Sequence, residues 1–321
     1  GTKVVSSNIL PSMNRLGKSL LTAWLVICLS AAAVAGQASE LTITFDDWAG
    51  PDVEVNIYVP EAAGSDTPIV IVMHGASRDL PRYYKDWRAA AIEGDFIAVV
   101  PHFNKEDFPG SARYNLGHVF DADTNEQRPR ELWTFSAIEP LFDAVVAKLG
   151  GRQAQYTLFG HSAGSQFVHR FLYYVPDARV SRAIAANAGW YTMPDFGVGY
   201  PYGLADSGVV RDVLTDYFAR DLVVLLGDAD TVREDDSLRK TPEAELQGRH
   251  RFDRGHTFYR VARARAEDLG TEFNWRLEVV PAATHSNAEM TPAAAKYVAA
   301  TGEPVTLLTG GTVFSGDDAA P

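Results

Sequence analysis

Residues 155–164 read Gln-Tyr-Thr-Leu-Phe-Gly-His-Ser-Ala-Gly, and the reading of these ten positions decides the fold. Tyr156 to Phe159 is a short β-prone run that enters Gly160-His161-Ser162-Ala163-Gly164, and a helix-capable segment, Gln166 to Tyr174, follows at once. A strand, a sharp turn and a helix with a serine at the apex form a nucleophile elbow. The turn forces the serine into a strained backbone conformation, and the flanking glycines keep side chains out of the strand and helix that close on it. The hydroxyl then stands at the positive end of a helix, where developing negative charge is favoured. The five-residue pattern is only moderately specific by itself. Its setting between strand and helix makes Ser162 the candidate nucleophile.

Outward from the elbow, strand and helix patterns alternate. Leu41 to Phe45 and Val53 to Val59 alternate apolar with polar, as an antiparallel hairpin does, with Ala49-Gly50-Pro51-Asp52 as its turn. Pro68 to Met73 and Phe96 to Val100 are unbroken apolar runs suited to strands buried on both faces. Further strands are predicted at Val180 to Ala186, Leu222 to Leu226 and Phe273 to Val280. Helices are predicted at Tyr83 to Glu93, Leu132 to Leu149, His256 to Leu269 and Pro292 to Ala300. The order implies an α/β fold: one mostly parallel central sheet with an antiparallel N-terminal pair and helices on both faces. Residues 187–220 and 231–255 read as long insertions at the carboxyl ends of strands, where such sheets build their sites.

The beginning of the 321-residue chain reads differently. Met13, the basic Arg15 and Lys18, an apolar run from Leu20 to Val34 and the small residues Ala33-Val34-Ala35 have the layout of a secretory signal peptide. The expectation is a signal over 1–35 (residues 1–12 being an upstream extension), a domain over 36–305 and a loose tail over 306–321. The protein would be exported, periplasmic or extracellular, with no stable membrane anchor. Cys28 is the only cysteine and lies in that signal, so disulfides and a cysteine nucleophile are excluded from the exported part. The formal net charge of −12, without a basic cluster to offset it, argues against nucleic acid as a partner. No partner protein is implied.

A serine hydroxyl needs a base, and the base needs a third group to fix its tautomer. Among eight histidines, His285 directly follows the last predicted strand, in Val280-Pro281-Ala282-Ala283-Thr284-His285-Ser286. His250 and His256 lie in the charged run Arg249 to His256, which reads as a solvated or salt-bridged loop. The preceding strand ends in Gly227-Asp228-Ala229-Asp230, and Asp230, turned out of the strand, is the better-placed acid, with Asp228 as the fallback. Oxyanion donors are expected from the backbone N–H groups of Ala163 and, in the loop Met73-His74-Gly75-Ala76-Ser77, of Ala76; His74 reads as a brace for that loop. Trp190 and Tyr191, in the first insertion, are candidate substrate-binding aromatics, with a small satellite core as the other reading. Asp121, Asp123 and Glu126 read as a solvated acidic loop, not a metal site.

These elements, in the order His-Gly loop, Gly-His-Ser-Ala-Gly elbow, acid and histidine, resemble the α/β-hydrolase superfamily over residues 41 to about 300. Within it the chain looks most like the exported polyhydroxybutyrate-depolymerase and feruloyl-esterase-like group, although it has Ala76 where members often carry cysteines near the oxyanion loop. The resemblance implies hydrolysis of a small-molecule or polymeric carboxylic ester through an acyl-enzyme, with no metal or organic cofactor. A peptidase or amidase on the same scaffold, and a non-catalytic binding protein reusing it, are the alternatives.

Overall fold

The computed structural model describes residues 38–298; the predicted signal, the tail and the end of the last predicted helix lie outside them. Eight strands are present: β1 (Ser39–Phe45), β2 (Val53–Val59), β3 (Ile69–Met73), β4 (Ile97–His102), β5 (Tyr156–His161), β6 (Val180–Ala186), β7 (Leu222–Gly227) and β8 (Arg276–Val280). They make one sheet in the order β1-β2-β4-β3-β5-β6-β7-β8. β1 pairs antiparallel with β2, and β2 with β4. Every pairing from β4 to β8 is parallel.

The apolar runs behave as their composition dictates. Successive side chains of a strand point to opposite faces, so a continuous apolar run supplies two cores at once. Ile69, Ile71 and Met73 of β3 and Leu222, Val224 and Leu226 of β7 enter one core. Val70, Val72, Val223 and Leu225 enter the other. Helices α1 (Leu80–Gly94) and α7 (Asn287–Ala295) cover the second face through Tyr83, Trp87, Met290 and Ala294. Helices α2 (Ile138–Leu149), α3 (Ala163–Tyr174), the short α4 (Val213–Ala219) and α6 (Arg251–Leu269) cover the first through Leu141, Phe167, Phe218 and Phe258. A further short helix, α5 (Pro242–Gln247), lies in the second insertion.

Several boundaries depart from the sequence reading, four of them for the following local reasons. The predicted helix from Leu132 begins as 3₁₀ turns, because Trp133 is extended, and becomes α-helical only at Ile138. The last strand starts at Arg276, not Phe273, whose ring packs against Phe218 and Tyr259. α7 starts at Asn287, capped by the Ser286 hydroxyl, with Pro292 inside it instead of opening it. The charged run at 249–256 is the first turns of α6, not a loop: His250 caps the helix, and Arg251 and Arg254 are buried.

Candidate active site

The strand order reverses at β3 and β5: the chain leaves β3 toward β4 on one side and returns to β5 on the other. The carboxyl ends of strands at such a switch point leave an open crevice. Met73 and Gly160 are paired there, so the His74-Gly75 loop and the elbow emerge side by side. Ser162 has φ 59° and ψ −117°, a conformation that L residues rarely adopt. Its N–H donates to Ala186 O at 2.9 Å, which pins the turn to β6. A side chain on Gly164 would drive into the Met73 carbonyl, and one on Gly160 into the Gly164 carbonyl. Both glycines are therefore required by close backbone approach.

The structure brings the three distant residues together. His285 Nε2 is 3.0 Å from Ser162 Oγ, and His285 Nδ1 is 2.8 Å from Asp230 Oδ2. Asp230 is 1% exposed, and the His285 side chain keeps 23% of its surface, so the carboxylate end of the relay is closed to solvent. An ionised carboxylate accepts from Nδ1–H, which leaves Nε2 as the acceptor for the serine proton. The other aspartate has turned to a different task. Asp228 Oδ1 accepts from the Ala282 N–H at 2.7 Å, bracing the loop that carries His285.

Two supports of that loop were not found in the sequence. Asn187, buried and at φ 51°, accepts from the Gly227 N–H at 2.9 Å and donates to Thr284 O at 3.2 Å. It thereby joins the ends of β6 and β7 to the histidine loop. Glu289 Oε2 accepts from the Thr284 N–H and hydroxyl at 2.6 and 2.9 Å, and these bonds hold its carboxyl below the usual range. The spacing Ser286-x-x-Glu289 is a helix-start signal that was available to read; nothing local marks Asn187.

His74 is fully buried. Its Nε2 accepts from the Phe103 N–H at 3.0 Å, which leaves Nδ1–H to donate to Gly75 O at 3.2 Å. Burial, with the nearby Arg78 cation second, lowers its pKa to about 3, so the ring is neutral. The Tyr114 hydroxyl ties the His74 carbonyl at 2.7 Å. The loop carrying Ala76 is thus tied from outside by Phe103 and Tyr114. Gly75 lies against Ser162: a Cβ there would stand 3.5 Å from Ser162 Cβ. Ala163, the first residue of α3, is among the positions whose N–H has no intrahelical acceptor. His161, buried beneath the site, shares a 2.9 Å hydrogen bond with the Tyr83 hydroxyl, and its ring lies 4.8 Å from that of His285. Burial, followed by the proximity of His285, drives its pKa well down.

Of the two readings of Trp190 and Tyr191, their burial fits the satellite core. Tyr191 is fully buried, stacked on Phe258 at 4.4 Å and exchanging both backbone hydrogen bonds with the Gln247 amide. Trp190 is 3% exposed, its ring flanked by the guanidinium groups of Arg170 and Arg239 at 4.2 and 4.3 Å. They form the satellite core because Gln247 and the buried Arg254, which donates to Gly189 O at 2.7 Å, fasten the loop down. In the loop at 121–126, Asp121 Oδ1 accepts from the N–H groups of Asp123 and Thr124, both at 3.0 Å.

The same fold recurs in solved structures. The chain is 44% identical to poly(aspartic acid) hydrolase-1 from Sphingomonas sp. KT-1, covering 82% of this chain and 99% of that one with a TM-score of 0.79. It is 34% identical to LpqC, the poly(3-hydroxybutyrate) depolymerase from Bordetella parapertussis, covering 81% and 88% with a TM-score of 0.76. This chain belongs to the α/β-hydrolase superfamily. Its relatives there include a poly(3-hydroxybutyrate) depolymerase and a poly(aspartic acid) hydrolase. An S-formylglutathione hydrolase from Agrobacterium tumefaciens, 15% identical over 83% and 96% of the two chains with a TM-score of 0.52, shares the fold with this α/β-hydrolase. No family model and no curated protein matches it.

Proposed function

We propose that this α/β-hydrolase is an exported serine hydrolase that cleaves carboxylic esters through a Ser162-His285-Asp230 triad and an acyl-enzyme. The observation that carries the reading is the continuous hydrogen-bonded relay from the serine hydroxyl to a buried carboxylate. In this mechanism Ser162 Oγ attacks the carbonyl carbon as its proton passes to His285 Nε2. The carbonyl oxygen, now negative, is held by the N–H groups of Ala163 and Ala76. The C–O bond then breaks, and His285 returns the proton to the departing alcohol. Water repeats the sequence to release the acid, with His285 again taking and returning the proton. Asp230 fixes the tautomer and stabilises the imidazolium. No step calls for a metal or organic cofactor. Export rests on the signal-like residues 13–35; among the described residues no helix is long and apolar enough to cross a membrane.

Amide hydrolysis is the second reading, favoured by the relative at 44% identity, whose name specifies poly(aspartic acid). A matched pair of substrates decides: p-nitrophenyl esters of short acids against the corresponding p-nitroanilides, with poly(aspartic acid) and poly(3-hydroxybutyrate) in parallel. The ester reading expects rapid ester turnover with weak anilide and poly(aspartic acid) cleavage. The reverse order selects the amide reading. Full turnover in Ser162→Ala rejects both.

A further inference from the structure

Asp230 has a second ionic neighbour that the relay does not use. Arg251, the first residue of α6, is 2% exposed, and its Nη1 lies 3.6 Å from Asp230 Oδ1, the oxygen turned away from His285. The same Nη1 donates to Asp235 Oδ2 and Nη2 to Ser237 Oγ, each at 2.8 Å. The backbone repeats the link, for the Phe252 N–H donates to Asp230 O at 3.3 Å. A buried guanidinium with this fork of donors has one orientation available. We propose that Arg251 is the positioning residue for Asp230: it fixes the carboxylate in register with His285 Nδ1, and the Arg251-Asp235 pair sets how readily His285 takes up a proton. The inference rests on the serine-hydrolase reading and adds a residue to it.

The sign follows from the charges around the relay. Asp230 is faced by His285 from the loop after β8, by Arg251 from α6 and by the buried Tyr191 phenol from the loop after β6. Asp235 stands behind Arg251; burial would raise its carboxyl, but Ser237 and the guanidinium hold it down at about 2. His285 is faced by neutral His161 from the end of β5, which itself feels Arg82 of α1 and Arg251. Arg254, one turn along α6, adds a cation paired to Glu245 at 3.1 Å, and Asp228 is engaged with Ala282. Within this set Arg251 opposes a positive charge on His285, and Asp235 offsets Arg251.

Opposite substitutions must therefore move the site in opposite directions. In Arg251→Met the acid limb of the kcat/KM profile is expected to rise by roughly half to one pH unit, with kcat lower by about tenfold and KM within about twofold. In Asp235→Asn the acid limb is expected to fall by a similar amount, and this variant, at a half-buried site, carries the test should Arg251→Met not fold. Loss of packing alone would move neither limb. The pH titration of the His285 imidazole protons by NMR reads the same two shifts without turnover. Unmoved limbs and titrations, or shifts of the same sign in both variants, overturn the inference. An inactive wild type, or an active Ser162→Ala, overturns the hydrolase reading instead and leaves the NMR result to decide the role of Arg251.

Discussion

Ser162 is held at φ 59° and ψ −117°, and strain of this kind, of order 1–3 kcal/mol, persists only where neighbours enforce it. Its role is checked by Ser162→Ala, expected to lower kcat at least about 10³-fold and to abolish labelling by a fluorophosphonate while circular dichroism stays native. The two aspartates separate cleanly at this scale. Asp230→Asn is expected to cost about 10⁴ in kcat, because the imidazole is then held in the wrong tautomer. Asp228→Ala removes only the acceptor of the Ala282 N–H, and should cost about 1 kcal/mol in chemical denaturation with a far smaller loss of rate. Sequence reasoning reached Ser162, His285 and the preference for Asp230 because each follows a strand end in fixed order. It missed Asn187 and Arg251, whose partners lie 40 and 21 positions away in the chain and carry no local pattern.

Among the elements, α7 explains why His285 is so placed. The helix starts two residues after it, with the Ser286 hydroxyl accepting from the Glu289 N–H at 3.4 Å. Ser286→Ala is expected to lower stability by about 1 kcal/mol and, because the histidine sits beside the cap, to raise the disorder of the His285 side chain. Denaturant midpoints and imidazole NMR line widths measure the two effects. Strands buried on both faces were readable because an unbroken apolar run has few other uses. The start of α6 was not, because a helix whose first turns bury two arginines looks from composition like a solvated loop. Glu245, Asp235 and the Gly189 and Gly248 carbonyls that accept those guanidinium groups lie outside any window that reads Arg249 to His256 alone.

At the scale of the whole molecule, acid sensitivity follows from the buried histidines. His74, His161 and His169 are neutral, with burial the main cause in each case. Each takes up a proton more readily unfolded than folded. Their contribution is fully present above about pH 6.5, the ordinary histidine value, and drains away as the pH falls toward about 3, where His74 titrates in the fold. The melting temperature is expected to fall steadily between pH 6.5 and 4, and His74→Gln should melt lower at pH 7 but with a shallower slope. A slope as steep as that of wild type would count against this account. The fold class was legible because the alternation of elements is a property of the whole chain, whereas acid sensitivity needed the burial of particular rings.

β8 is the outermost strand on its side of the sheet, and none of its five residues is fully buried. His285, the proposed general base, is thus carried by the margin of the sheet, while Ser162, the proposed nucleophile, sits at its centre. Fraying of that margin would silence turnover with the interior still intact. On warming, the enzyme should fall inactive some degrees before its tryptophan fluorescence reports collapse, and brief cooling should restore it.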